Sequence, residues 1–170
     1  MNIIVLYLIK QFLEFNNFSN YISSLSNWQI GSLLFGAKDS KLIHSLIGAE
    51  PLYITERHSQ YFELQKAKFN PDSVRKMKFY KIDDLNKLPK KSLGLVVAYN
   101  EFAFLPWSII SVLCHTFSNL LVPGGILIFN FNDCETVDGF KMFEDNSMTY
   151  SRLEMYEKLL ENYDLELVKK

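Results

Sequence analysis

The sequence predicts an α/β protein: a doubly wound, mostly parallel sheet of about six strands with helices on both faces. Three observations point there. Short uncharged apolar runs recur at Ser32 to Phe35, Leu52 to Thr55, Leu93 to Ala98 and Ile126 to Phe129, the way strands covered on both faces read. Segments with apolar residues at helical spacing separate them. A glycine, acid or amide follows each run: Gly36, Glu56, Asn100-Glu101, Asn130. In an open parallel sheet ligands bind beyond the carboxyl ends of the strands, so these residues stand where chemistry belongs.

The elements follow in order. Ile3 to Phe15 reads as a helix, part of an N-terminal helical extension over residues 1–26, with the sheet domain over 27–170. Asn16 to Asn27 is polar loop with a short helix. After the strand at Ser32 to Phe35, Asp39 or Ser40 can cap a helix whose inner face is Leu42, Ile43, Leu46 and Ile47. Gly48 ends it. His58 to Phe69 reads as a helix with Tyr61, Phe62 and Leu64 inward, and Met77 to Ile82 as a strand ending at Asp83-Asp84. Pro106 suits the start of a helix carrying Ile109, Ile110, Leu113, Phe117 and Leu120 inward. Pro123-Gly124-Gly125 is a turn before the strand at Ile126. Asp133 to Thr149 is a polar crossover. Ser151-Arg152-Leu153-Glu154 has the pattern of a capping box, opening a helix with Leu153, Tyr156, Leu159, Leu160 and Tyr163 inward. Leu165 to Val168 is the last strand.

Composition narrows the function. The chain has 170 residues, 48% of them hydrophobic, which suits one globular domain. A formal net charge of −1 leaves no electrostatic footprint for nucleic acid. Ile3 to Ile9 is apolar but short of the ~20 residues a membrane span needs, and no basic leader precedes it. A cytoplasmic protein with reduced thiols is expected. Cys114 and Cys134 lack metal-ligand spacing, and His44, His58 and His115 are scattered, so no metal site is expected.

Leu121-Val122-Pro123-Gly124-Gly125 followed by a buried strand resembles the turn before the fifth strand of class I S-adenosylmethionine-dependent methyltransferases, and the resemblance extends over Asn27 to Lys170. It implies a Rossmann-like fold, S-adenosyl-L-methionine as cofactor, and methyl transfer to an oxygen or nitrogen of a small polar acceptor. That family has an acid and then a Gly-x-Gly-x-Gly loop after its first strand. Here Gly36 and Ala37 are present, but Lys38 and Ser40 replace the second and third glycines, and Phe35 stands near the acid's position. Lys38 would fill the cofactor's place or bend outward to a ligand carboxylate; otherwise the loop is a turn that binds nothing.

The remaining candidates divide between cofactor and acceptor. Glu56 falls ~20 residues past Gly36, the offset of an acid that accepts ribose hydroxyls. Asp84, or its neighbour Asp83, precedes Leu88-Pro89 as the family's adenine-binding acid does; an Asp pair is also ordinary turn chemistry. By resemblance, Tyr99-Asn100-Glu101 faces cofactor and substrate: Asn100 would position a polar group, and Glu101 would act as a base. Phe102, Phe104 and Trp107 are pocket wall or core. Asp133 and Tyr150 are the acceptor-side candidates. The family's reversed final strand has no counterpart after Val168, so an open sheet edge and the N-terminal helix are the two surfaces through which a homo-oligomer would form. Two readings compete with an active methyltransferase. One is a non-catalytic interaction module that has lost the cofactor, and the other a nicotinamide-dependent oxidoreductase, for which the missing glycines count heavily.

Overall fold

The computed structural model describes residues 3–7, 15–36 and 40–169. One sheet contains seven strands: β1 (Ile3–Tyr7), β2 (Ser32–Phe35), β3 (Leu52–Glu56), β4 (Met77–Lys81), β5 (Leu93–Ala98), β6 (Leu121–Phe129) and β7 (Leu165–Lys169). Their spatial order is β4-β3-β2-β5-β6-β1-β7, and every pairing is parallel. The helices are α1 (Phe15–Ser24), α2 (Ser40–Leu46), α3 (Gln60–Lys66), α4 (Pro71–Lys76), α5 (Trp107–Leu120), α6 (Val137–Glu144) and α7 (Leu153–Glu161). Short 3-10 turns cover Trp28–Ile30, Ile82–Lys87 and Phe102–Phe104.

Successive side chains of a strand point to opposite faces, and the two cores follow that alternation. Leu33, Phe35, Val96, Ala98, Leu127 and Phe129 pack with α5 and α7 on one face. Leu34, Leu95, Val97, Ile126 and Ile128 pack with α2 and with Ile22 of α1 on the other. Burial in the first core pushes the Cys114 thiol up to about 12, so this cysteine behaves as a small apolar residue. The chain steps from β2 outward to β3 and β4, then returns to β5 on the other side of β2. Right-handed crossovers require helices on opposite faces for the two directions, as observed for α2 and α5.

The doubly wound architecture is as predicted, with one strand more than expected. Ile3–Tyr7 forms a strand, not the start of a helix over Ile3 to Phe15; residues 8–14 lie outside the described residues. β1 inserts between β6 and β7, matching Ile4 to Ile126 and Ile3 to Leu165. The place expected to lack a partner is therefore taken by the N-terminal strand, running parallel. Apolar Ile3 to Tyr7 shows no polar alternation, so periodicity alone does not separate a buried strand from a buried helix.

Other differences are local. Pro123-Gly124-Gly125 bulges out of a strand that is already paired: Leu93 opposes Leu121 and Leu95 opposes Ile126. Gly124 takes φ +76°, a conformation that suits glycine. Two helices were not foreseen. Asn70 caps α4 by accepting a hydrogen bond from the Ser73 N–H at 2.8 Å, and the Thr136 hydroxyl caps α6 by accepting from the Gly139 N–H at 3.0 Å. On α3 Phe62 is buried as expected, but Leu64 is exposed and Gln65 takes the inner position instead. The capping box is absent: the Ser151 hydroxyl donates to the Asn132 carbonyl at 2.7 Å, and Glu154 pairs with Lys158.

A Cβ on Gly94 would run into the backbone carbonyl of Asn27, whereas Gly124 has nothing nearby. Gly94→Ala should cost at least ~2 kcal/mol, the scale of overpacking against atoms that cannot yield. Gly124→Ala should cost only ~1 kcal/mol, from its positive φ. Urea unfolding of both variants measures the contrast.

Candidate functional site

The strand registers place the candidate residues at one edge of the sheet. Phe35 opposes Thr55, Glu56 opposes Lys81, and Ala98 opposes Phe129, so Gly36, Glu56, Asp83-Asp84 and Asn100-Glu101 all leave at the carboxyl ends. β2 is where strand order reverses, because β3 and β5 flank it. The crevice beyond such a reversal is the usual ligand position in open α/β sheets.

Gly36 extends the β2–β3 ladder, its N–H donating to the Thr55 carbonyl at 3.0 Å. Its φ is +91°, and a Cβ there would strike the Glu101 carboxylate. Glu101, arriving from the loop after β5, thus lies over the bare backbone of Gly36. Phe35, near the family's acidic position, is 2% exposed and packs edge-on to Phe117 at 5.5 Å. Ala37 and Lys38 lie outside the described residues, and Ser40 opens α2.

Glu56 ends β3 and is 4% exposed. Its Oε1 accepts the Arg57 N–H at 2.7 Å, which fixes the carboxylate, while Oε2 is buried without a hydrogen-bond partner among the described residues. A carboxylate oxygen withdrawn from water and left unmatched is costly, and it fits a ligand that brings hydroxyl donors.

Asp83 and Asp84 lie in the turn after β4. Asp84 pairs with Lys87 at 2.7 Å and raises that ammonium above its ordinary value, chiefly through the hydrogen bond. Asp83 is exposed and has no ion pair among the described residues. Buried Leu85 and Leu88 anchor the turn beneath them.

Asn100 takes a left-handed φ of 55°. The Asn130 side chain holds it there: its Oδ1 accepts the Asn100 N–H at 2.6 Å, and its Nδ2 donates to Asn100 Oδ1 at 2.7 Å. Asn130 thereby ties the loops after β5 and β6 and sets the path into Glu101. Sequence reading saw Asn130 only as part of a polar strand tip. Two amides thirty residues apart show no local signal of pairing.

The acceptor-side candidates are less closely drawn in. Asp133 Oδ1 accepts the Glu135 N–H at 3.1 Å, and its carbonyl accepts from the Thr136 N–H and hydroxyl, so the residue shapes the turn into α6. Tyr150 is 43% exposed and packs edge-on to Phe143 at 5.2 Å. Its neighbour Thr149 donates twice to the Ala103 carbonyl, which moors this segment beside the Glu101 loop. Phe102 is core against Phe129 and Tyr156, Trp107 packs on Tyr156, and Phe104 is exposed. Buried Asn132 joins two segments by donating to the carbonyls of Gly139 at 2.9 Å and Thr149 at 3.5 Å. Among the described residues no cluster of metal-ligating side chains occurs, and no helix is long and apolar enough to cross a membrane.

No family model and no curated protein matches the chain. Solved structures do. A SAM-dependent methyltransferase from Archaeoglobus fulgidus superimposes with a TM-score of 0.66 at 14% identity, over 89% of this chain and 67% of its own. One from Leishmania major gives 0.61 at 17% identity, over 89% of this chain and 61% of its own. The chain therefore spans about three-fifths to two-thirds of the length of these two. The fold is wider than one activity: the dehydroquinate dehydratase and shikimate dehydrogenase from S. pombe AroM gives 0.55 at 18% identity over 91% of this chain and 27% of its own. The chain shares the doubly wound, parallel α/β fold of these structures, and its sheet includes a parallel N-terminal strand.

Asn130→Ala should destabilise the protein by about 1–2 kcal/mol, from two lost hydrogen bonds and a released left-handed residue. Asn130→Asp keeps the acceptor and loses the donor, so its loss should be about half as large. Urea denaturation of the ligand-free protein reads both.

Proposed function

We propose that the chain binds S-adenosyl-L-methionine beyond β2, β3 and β5 and transfers its methyl group to an oxygen or nitrogen of a small polar acceptor. The observation that carries this reading is the buried, unmatched Oε2 of Glu56 at the end of β3, one strand from Gly36. A ribose supplies two hydroxyl donors to one carboxylate, and few other ligand groups relieve such an atom as well.

The other residues take roles around it. Gly36, lacking a Cβ, leaves room for the Glu101 carboxylate at the end of β2. Asp83 or Asp84 meets the adenine amino group, with Asp83 the less engaged on the protein side. Asn100, held by Asn130, positions the ligand from the opposite wall. Glu101, whose carboxylate lies over Gly36, supplies negative charge on the cofactor side in place of the acid that Phe35 displaces; this position supports cofactor holding more directly than the role of base. Ala37 and Lys38 complete the loop. Asp133 and Tyr150 belong to the acceptor side. The chemistry is mostly positioning: nucleophile, methyl carbon and sulfur held in line in a site shielded from water. The bound cofactor supplies an electrophilic methyl group on a positively charged sulfur.

A non-catalytic module has less support, because a protein that no longer binds ligand has no use for a buried unmatched carboxylate oxygen. Calorimetric titration with S-adenosylhomocysteine, with NAD as comparator, tests the reading. Saturable heat with the first alone is expected. Binding of NAD alone would assign the crevice to a nicotinamide cofactor, and binding of neither would end the enzyme reading. Glu56→Gln should weaken S-adenosylhomocysteine by about tenfold or more, the value of a hydrogen bond to a charged group. The same change should leave the thermal midpoint of the ligand-free protein equal or higher, because it removes a buried charge.

A further inference from the structure

Phe104, Phe140, Phe143 and Tyr150 are 54%, 45%, 37% and 43% exposed. Single exposed aromatics need no explanation, but contiguous ones mark binding surfaces. Phe140 contacts Phe143 at 6.3 Å, Phe143 contacts Tyr150 at 5.2 Å, and Phe104, Phe143 and Tyr150 line a common cavity of ≈ 380 Å³ with Met148. That volume falls in the range of small-molecule sites, about 300–1,000 Å³. The walls are braced. The Thr149 N–H and hydroxyl donate to the Ala103 carbonyl at 2.8 and 3.0 Å, and the Ser147 N–H and hydroxyl donate to the Met142 carbonyl at 3.0 and 2.8 Å. Phe104, in the cavity wall, belongs to the turn that directly follows Glu101.

Its electrostatics favour one sign of ligand. Residues 133–152 carry five acids (Asp133, Glu135, Asp138, Glu144 and Asp145) and two bases, Lys141 and Arg152, and Arg152 beside Tyr150 is paired with Glu135. Of the five, only Glu135 is in an ion pair among the described residues, with Arg152. α6 ends at Glu144, and the cavity wall includes Phe143 and Asn146 at that end. A helix carboxyl terminus carries partial negative charge. Aromatic faces attract cations as well, through their quadrupole. The lining holds aromatic, apolar and neutral polar side chains and no carboxylate, so the cation that suits it is organic.

We propose that this cavity binds an organic ammonium ion, with Phe104, Phe143 and Tyr150 against its alkyl groups and the α6 end and its acids supplying the field. Under the methyltransferase reading, on which this further step rests, the amine is the acceptor. Its ammonium form first releases a proton to solvent. The nitrogen lone pair then forms the new N–C bond as the S–C bond breaks, leaving S-adenosylhomocysteine and a methylated ammonium.

The test is a ligand-observed NMR titration with choline chloride and with its uncharged carbon isostere, on the full chain. Choline should bind saturably and about tenfold tighter than the isostere, the scale of a cation–aromatic contribution. Phe143→Ala and Tyr150→Ala should each weaken choline severalfold, and Phe143→Tyr should retain it, with thermal midpoints confirming that the variants fold. Equal affinity for the two probes, no saturable choline binding, or binding indifferent to all three substitutions would overturn the proposal. A parallel titration with S-adenosylhomocysteine separates the two readings. Choline binding without it keeps the ammonium site and removes the acceptor role, while its binding without choline removes the site and keeps the cofactor.

Discussion

The pairing of β2 with β5 is the constraint on which the remaining structure depends. At its amino end the Gly31 carbonyl accepts the N–H groups of both Gly94 and Leu95, at 2.9 and 3.3 Å, and Asn27 crosses so close to Gly94 that no side chain fits there. That contact sets Ser32 opposite Leu95 and Leu34 opposite Val97. The β2–β5 ladder carries this register without a shift from Ser32 to Leu34, and it delivers Gly36 beside the loop of Glu101. Slipping by one residue would exchange the two apolar faces, exposing Leu33 and Phe35 to the layer built for Leu34. The burial of both faces and the geometry of the crevice are one requirement met twice.

Positive φ occurs on both sides of the sheet, at Asn27, Lys91 and Asp164 before strands as well as at residues after them. Gly36 and Asn100 hold positive φ, and Glu56 keeps a buried oxygen unmatched. The energy that tolerates these features comes from the two apolar layers. The ion pairs are exposed at Glu63–Lys66, Asp72–Arg75 and Glu154–Lys158, and pairs of that kind contribute little. Conformations that cost stability persist where the surrounding structure over-determines them.

What was legible in the sequence follows from what is local. Strands β2, β3, β5 and the carboxyl part of β6 are short apolar runs, and their burial on both faces needs no knowledge of the partners. The doubly wound arrangement follows from alternation with helices. The place of Glu56 at the end of β3 was legible from the apolar run before it, although its unmatched oxygen was not. Other features depend on distant partners. Ser151 has the pattern of a cap, yet its hydroxyl goes to Asn132, because a buried carbonyl without a donor costs more than an exposed helix start left to water. Asn130 and Asn100 find each other only because β5 and β6 are neighbours. α4 buries none of its residues and α6 only Gly139, so neither has an apolar stripe to recognise. The strand at Ile3 to Tyr7 is the largest difference. A run apolar on every side suits either a helix or a strand, and the gap between β6 and β7 decides which.

The same neighbourhood accounts for the departure at the glycine loop. An acid at the end of β2 would need its side chain on the ligand side, but Phe35 alternates into the layer of Phe117 and is held there by the packing of β2. Negative charge can still reach Gly36, because the reversal of strand order sets the β5 loop alongside it, and Glu101 approaches from that loop. A function that one strand end cannot host is thus available from its neighbour without altering the sheet. Arrangement in space, more than spacing along the chain, is what such a crevice requires. The glycine pattern is read along β2 alone, whereas the crevice is bordered by β2, β3 and β5 together.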